Sequence, residues 1–159
     1  MTRKKETLVP TTPHMEGDDD VGALNSIVGF HIRLAHGAVY RHFTETFADF
    51  ELTQKQVSVL WLVDIHPDIA QTGLAKLMRM DRATTMAIVN RLQARGLLGR
   101  GKSEDDGRKQ TLNLTDDGRT MLANAKEAIA AHEHWLTSRF SAKEVQTLIE
   151  MLTRIHDAP

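Results

Sequence analysis

The chain has 159 residues, is 41% hydrophobic and 26% charged, and carries a formal net charge of -1. That is enough for one domain with a real core, and it is the profile of a helix-rich globular protein, which excludes wholesale disorder. There is no cysteine, so disulfides, thiolate metal sites and a cysteine redox switch are excluded.

Residues 1 to about 20 mix Thr, Pro and charge with the acidic run Asp18-Asp19-Asp20 and show no apolar period, which predicts a flexible arm. The arm lacks the apolar core of a secretory signal, and no run in the chain approaches the roughly 18 apolar residues of a membrane span. The expected location is the cytoplasm, with no membrane partner. From Val21 to about Phe50, Leu24, Ile27, Val28, Ile32, Leu34, Ala35, Ala38, Val39 and Phe43 recur at helical spacing and predict one long helix. Its apolar residues lie on more than one side, as expected of a helix buried between subunits.

Thr53 with Gln56 three residues on forms a capping-box signature, and Val57, Leu60, Trp61 and Ile65 follow on one face of a second helix that ends at His66-Pro67. A short extended piece at Ile69-Ala70 leads into a brief third helix from Thr72 to Met78, closed at Arg79-Met80. Asp81 then caps a fourth helix with Thr85, Ile88 and Leu92 on its buried side, and Gly96 supplies a left-handed stop. Two strands, Leu97 to Arg100 and Lys109 to Leu114, pair across a turn-rich loop as a hairpin. Thr115 caps a long helix reaching about Trp135, and Ser141 with Glu144 opens a last helix carrying Val145, Leu148, Ile149, Leu152 and Ile155.

Charge is concentrated in one window. Between Lys76 and Lys109 there are nine basic residues (76, 79, 82, 91, 95, 100, 102, 108, 109) against four acidic ones (81, 104, 105, 106), a segment of +5 on a molecule otherwise at -6. Two short helices across a tight turn, then a basic hairpin, make the physical recipe of a winged helix-turn-helix, whose second helix enters the major groove of duplex DNA. The outward positions of that helix are Arg82, Thr84, Met86, Ala87, Asn90 and Arg91, with Thr85 also counted among the candidate DNA contacts. In the wing, Arg108 beside Gly107 is placed for the minor groove, while Arg100, Lys102 and Lys109 are placed for phosphates.

The runs LTQKQVSVLWLV, GLAKLMRMDRATTMAIVNRLQARGLL and DDGRKQTLNLTDDG together resemble the MarR (multiple antibiotic resistance regulator) family, from about Gly22 to the C-terminus. The resemblance implies a mainly α fold with a small β-wing. Residues 21–159 would then form one domain, its winged helix-turn-helix at 52–114 flanked by dimerisation helices at 21–50 and 115–157. It also implies a homodimer reading a pseudopalindromic site, with Arg108 as the wing arginine and Thr84, Asn90 and Arg91 in the recognition helix. Met86 and Ala87 depart from the pattern, standing where the family often has polar or basic residues, which shifts part of the reading from direct base contacts to DNA shape.

Family members commonly bind a small aromatic or phenolic ligand and then release DNA. His31, Arg33, His36 and Tyr40 on the first helix, with Trp61 and His66 on the next, offer a cation, imidazoles and a phenol suited to an aromatic carboxylate or its thioester. Structural hydrogen bonding by the same histidines is the competing reading. A zinc or other metal sensor is the alternative, because eight histidines and the run His132-Glu133-His134 offer ligands. His132 and His134 nevertheless point to different sides of one helix. No HExxH, P-loop, GxSxG or GxGxxG run is present, so neither catalysis nor a cofactor is expected.

Overall fold

In the computed structural model the described residues are 21–102 and 110–157, with the backbone alone described at Lys102. The expected arm and the wing-loop residues Arg108 and Lys109 lie outside them. The described residues form two units, one ending at His36 and the other beginning at Gly37.

The single long helix expected over 21–50 is broken at both ends. A 3-10 turn at Gly22–Ser26 is followed by Ile27 in extended geometry, and helix α1 runs from Val28 to Thr46 before a second 3-10 turn at Ala48–Phe50. Apolar spacing continues through both breaks, so periodicity alone does not show them. The second break ends in a left-handed turn. Phe47 is buried and its ring stacks on Phe43 at 4.1 Å, and Glu51 then takes a left-handed φ of 51°, which no helix continues through.

Helix α2 (Gln54–Ile65) begins with the expected capping box, Thr53 accepting from the Gln56 amide and the Gln56 side chain accepting from the Thr53 amide. It buries Val57, Val59, Leu60 and Val63 and stops before Pro67. Strand β1 is only Ile69–Ala70, helix α3 is Gln71–Leu77, and helix α4 is Arg82–Ala94. Strands β2 (Leu98–Lys102) and β3 (Gln110–Leu114) pair antiparallel with Arg100 opposite Leu112. The sheet has three strands rather than the expected two, because β1 pairs with the other edge of β3, Ile69 opposite Leu112. Helix α5 (Asp116–Thr137) and helix α6 (Ala142–His156) complete the chain, capped by Thr115 and by the Ser141/Glu144 box as expected.

The core gathers Leu60, Leu74, Val89, Leu92, Leu112 and Leu122, all at 2% exposure or less, from α2, α3, α4, β3 and α5. Burying such side chains is the principal favourable term in folding. Helix α5 meets this body at Gly118, where a Cβ would lie 2.0 Å from the Leu97 carbonyl oxygen. The same junction is tied by Thr115, whose hydroxyl donates to the Gly96 carbonyl at 2.6 Å and accepts from the Gly118 amide at 2.9 Å. Further along α5, His132 is buried against α1. Its Nδ1 lies 2.7 Å from Nδ1 of His42, whose ring stacks on Trp135 at 4.0 Å. One imidazole must donate and the other accept, so both cannot be cationic and keep the bond. Burial, reinforced by the His42 charge, pulls the His132 pKa down.

Candidate nucleic-acid interface

The helix-turn-helix is built from the turn outward. Helix α3 closes at Met78, and Arg79 takes a left-handed φ of 50° that redirects the chain toward α4. Asp81 caps α4 by accepting from the Thr84 amide at 2.8 Å and the Thr84 hydroxyl at 2.5 Å. The Thr84 hydroxyl bond, then the amide bond, hold the Asp81 carboxyl below its usual range. A fixed cap sets where the first turn of α4 begins, and with it which side chains face outward.

Arg82, Met86, Ala87, Asn90 and Arg91 are exposed, while Ile88, Val89 and Leu92 are buried, so the expected outward and inward faces of α4 are both found. Two threonines need correction. Thr85, counted among the DNA contacts, has 0% exposure and its hydroxyl donates to the Asp81 carbonyl at 2.9 Å, which makes it part of the core. Thr84 is half-buried, and its only hydroxyl proton is committed to Asp81, which leaves an acceptor and no donor for phosphate.

The basic window also divides. The Arg95 guanidinium donates to the carbonyls of Glu51 at 2.6 Å and Phe50 at 3.0 Å, tying the end of α4 to the turn before α2. Arg79 donates to the His156 carbonyl at 2.5 Å and to the Asp157 carboxylate, and this pairing lowers the Asp157 pKa. Arg100 on β2 donates to the side-chain oxygens of Gln93, Gln110 and Asn90 at 3.0, 3.1 and 3.1 Å. Arg82 and Arg91, by contrast, are exposed and meet no acceptor among the described residues. Counting charge along the sequence could not separate these groups. The partners of Arg79 and Arg95 lie far along the chain, and those of Arg100 lie on α4 and across the sheet.

The wing base is pinned at β1. Asp68, at a left-handed φ of 61°, accepts from the Asn113 amide at 2.7 Å and the Thr111 hydroxyl at 3.2 Å, and its own amide donates to the Asn113 side-chain oxygen at 3.0 Å. A Cβ on Gly101 would stand 2.8 Å from that Thr111 hydroxyl, so glycine lets β2 close on β3 here. Lys102 ends β2, and its side chain, like Arg108 and Lys109, lies outside the described residues.

The candidate ligand residues fall in both units. In the first, the His31 ring nitrogen lies 2.9 Å from the Asn25 carbonyl, the Arg33 guanidinium sits 5.2 Å from the Phe30 ring centroid, and His36 is exposed. In the second, Tyr40 is exposed, Trp61 is half-buried, and His66 is exposed where it closes α2. Sequence reasoning missed Lys126 of α5. Its ammonium lies 5.1 Å from the Trp61 ring centroid and 2.8 Å from the Asp64 carboxylate. No local signal marks that contact, since 62 positions of chain separate Asp64 and Lys126. His132 and His134 do part company, the first buried and the second exposed, and no group of three or more His, Asp or Glu gathers among the described residues.

Comparison with known proteins agrees with this geometry. Residues 50–109 match the model of the MarR family. A transcriptional regulatory protein proposed for the hcr operon of Thauera aromatica is 31% identical over 136 residues, covering 85% of this chain and 82% of that protein. The structure of the transcriptional repressor CouR bound to a 23-mer DNA duplex superposes with a TM-score of 0.82 at 34% identity, covering 88% of this chain and 99% of that one. CouR bound to p-coumaroyl-CoA superposes at 0.79 with 33% identity, over 88% and 99% of the two chains. With its winged fold, its outward α4 face and these relatives, the chain belongs to the MarR family of DNA-binding transcriptional regulators.

Proposed function

We propose that this regulator is a homodimeric repressor, released from a pseudopalindromic operator by a small aromatic or phenolic acid or its CoA thioester. The observation that carries the reading is the α4 face, where Arg82 and Arg91 stand exposed and unpaired among the described residues beside Met86, Ala87 and Asn90. A helix presenting cations, an amide and apolar atoms fits a groove lined by phosphates, base edges and thymine methyls.

A second copy is supported by α6, which buries none of its side chains while Leu148, Ile149, Met151, Leu152 and Ile155 stand at 39–54% exposure. A continuous apolar face of this kind calls for cover. An aromatic effector is supported by the half-buried Trp61 indole, beside a Lys126 ammonium already shared with Asp64, and by the p-coumaroyl-CoA held by the similar CouR. His31, Arg33, His36, Tyr40 and His66 remain candidates to be tested one at a time.

The test is binding to duplexes from the protein's own promoter region across a salt series, with p-coumarate, p-coumaroyl-CoA and Zn(II) added in separate arms. Affinity should fall steeply with salt, as counterion release requires. An aromatic acid or thioester should release the duplex. Absence of binding at low salt rejects the reader, and release by Zn(II) alone replaces the aromatic effector with a metal.

A further inference from the structure

Arg100 meets three carboxamides at once. Its Nε donates to Gln93 Oε1 at 3.0 Å, Nη1 to Gln110 Oε1 at 3.1 Å and Nη2 to Asn90 Oδ1 at 3.1 Å. Asn90 and Gln93 lie one turn apart on α4, Gln110 opens β3, and Arg100 lies on β2 between them. The fork therefore bridges the recognition helix and the wing. A guanidinium has five N–H donors and no acceptor, so each carboxamide can face it only through oxygen. This fixes a choice that is otherwise open for an asparagine. With Oδ1 turned to Arg100, the Asn90 NH2 group is turned away from it, and Asn90 is exposed on the face that carries Met86, Ala87 and Arg91.

An unrestrained asparagine uses both ends of its amide, and its favoured partner in the major groove is adenine, which offers the N7 acceptor and the N6 donor together. Asn90 held by Arg100 offers N–H donors alone. Acceptors at base edges are guanine O6 and N7, adenine N7 and thymine O4, while cytosine presents only its N4 donor. We propose that Arg100 is a positioning residue for sequence readout: it locks the Asn90 carboxamide so that α4 presents a donor there, and the contacted strand disfavours cytosine at that position without selecting adenine.

The proposal rests on the reading of α4 as the DNA-contacting helix, and the experiment separates the two. The full-length protein and its Arg100→Met and Asn90→Asp variants are each used to select from a randomised duplex library, and the enriched motifs are compared column by column. Wild type should give a motif with cytosine depleted on the contacted strand in one column of each half-site. Arg100→Met frees the amide, so that same column should narrow toward adenine. Asn90→Asp keeps an acceptor for Arg100 but presents no donor, so the column should invert toward cytosine by about tenfold, the scale of one good base contact. The other columns should hold in both variants, which also shows that both are folded.

An unchanged column in both variants overturns the proposal and leaves α4 as the reader. A uniform loss of affinity in Arg100→Met, with the salt slope lowered by about one, assigns Arg100 to a phosphate and likewise overturns it. Selection of no motif by wild type overturns the α4 reading itself, and the proposal with it.

Discussion

The body made by α2, α3, α4 and the sheet and the length of α6 differ in what holds them. The first buries side chains from every one of its helices, down to 0% exposure at Leu60, Leu74, Val89 and Leu92. The second is equally well written as a helix. It has a full capping box at Ser141 and Glu144, an acidic residue in its first turn and Arg154 and His156 in its last, yet it buries nothing. Local signals make a helix, and only packing makes it stable, because an isolated 15-residue helix is marginal in water. The body carries its own tertiary stabilisation, whereas α6 is tied to it by Arg79 at its last turn and keeps its apolar face exposed.

The comparison breaks most visibly at the body's tightest point. Gly118→Ala places a methyl 2.0 Å from the Leu97 carbonyl oxygen, and the obstacle is backbone rather than a movable side chain. The expected cost is about 3 kcal/mol, at the upper end for overpacking, because β2 or α5 must shift. Thermal unfolding checks it, and DNA binding should fall together with stability because the same junction sets β2 and the wing. An unfolding midpoint indistinguishable from wild type would mean that the body has slack at this junction.

On α6 the expected effect has the opposite character. Ile149→Asp with Leu152→Asp changes two exposed side chains, at 53% and 43%, in a helix that buries none. The winged body should keep its fold, seen as unchanged sheet and core signals in NMR spectra, while sedimentation shifts from dimer to monomer. Operator affinity should drop by about a hundredfold or more, since two half-sites are then no longer held together. A dimer that survives the double substitution would move the interface off α6.

The same contrast explains what the sequence disclosed. Thr53 with Gln56, Asp81 before Arg82 and Ser141 with Glu144 act within three or four residues and each opens the helix expected of it, and Gly96 in left-handed geometry follows the close of α4. Alternation of buried and exposed positions along α4 was legible for the same reason, and with it Arg82, Met86, Asn90 and Arg91 as outward groups. What was hidden is contact across the chain. Ile69 and Ala70 become a strand only because Thr111 and Leu112, far later in the chain, pair with them. Arg95 looks like one more cation for DNA until Glu51 and Phe50 offer it their carbonyls. Thr85 looked available because hydroxyls bind phosphates, but Asp81 had already taken its proton and the core had taken its methyl.

A smaller effect sharpens the boundary between self-sufficient and exposed parts. The seam between α1 and α5 holds His42, Thr46, His132 and Trp135, with Phe43 edge-on to the His132 ring at 5.7 Å. Burial and then the neighbouring His42 lower the His132 pKa from 6.5, with Glu133 opposing weakly. A histidine with a depressed folded-state pKa is neutral in the fold while the unfolded chain takes up a proton. Stability is therefore full above the unfolded value and is lost as pH falls through 6.5 toward the folded value. Between about pH 7.5 and pH 5.5, where carboxylates stay ionised, the unfolding midpoint should decline in wild type and decline less in His132→Gln. Because the seam belongs to α1 and α5, the Ile149→Asp, Leu152→Asp monomer should show the same decline. A pH dependence that vanishes in the monomer would place the responsible proton in the interface instead, and α6 would then hold more of the stability than its exposed face indicates.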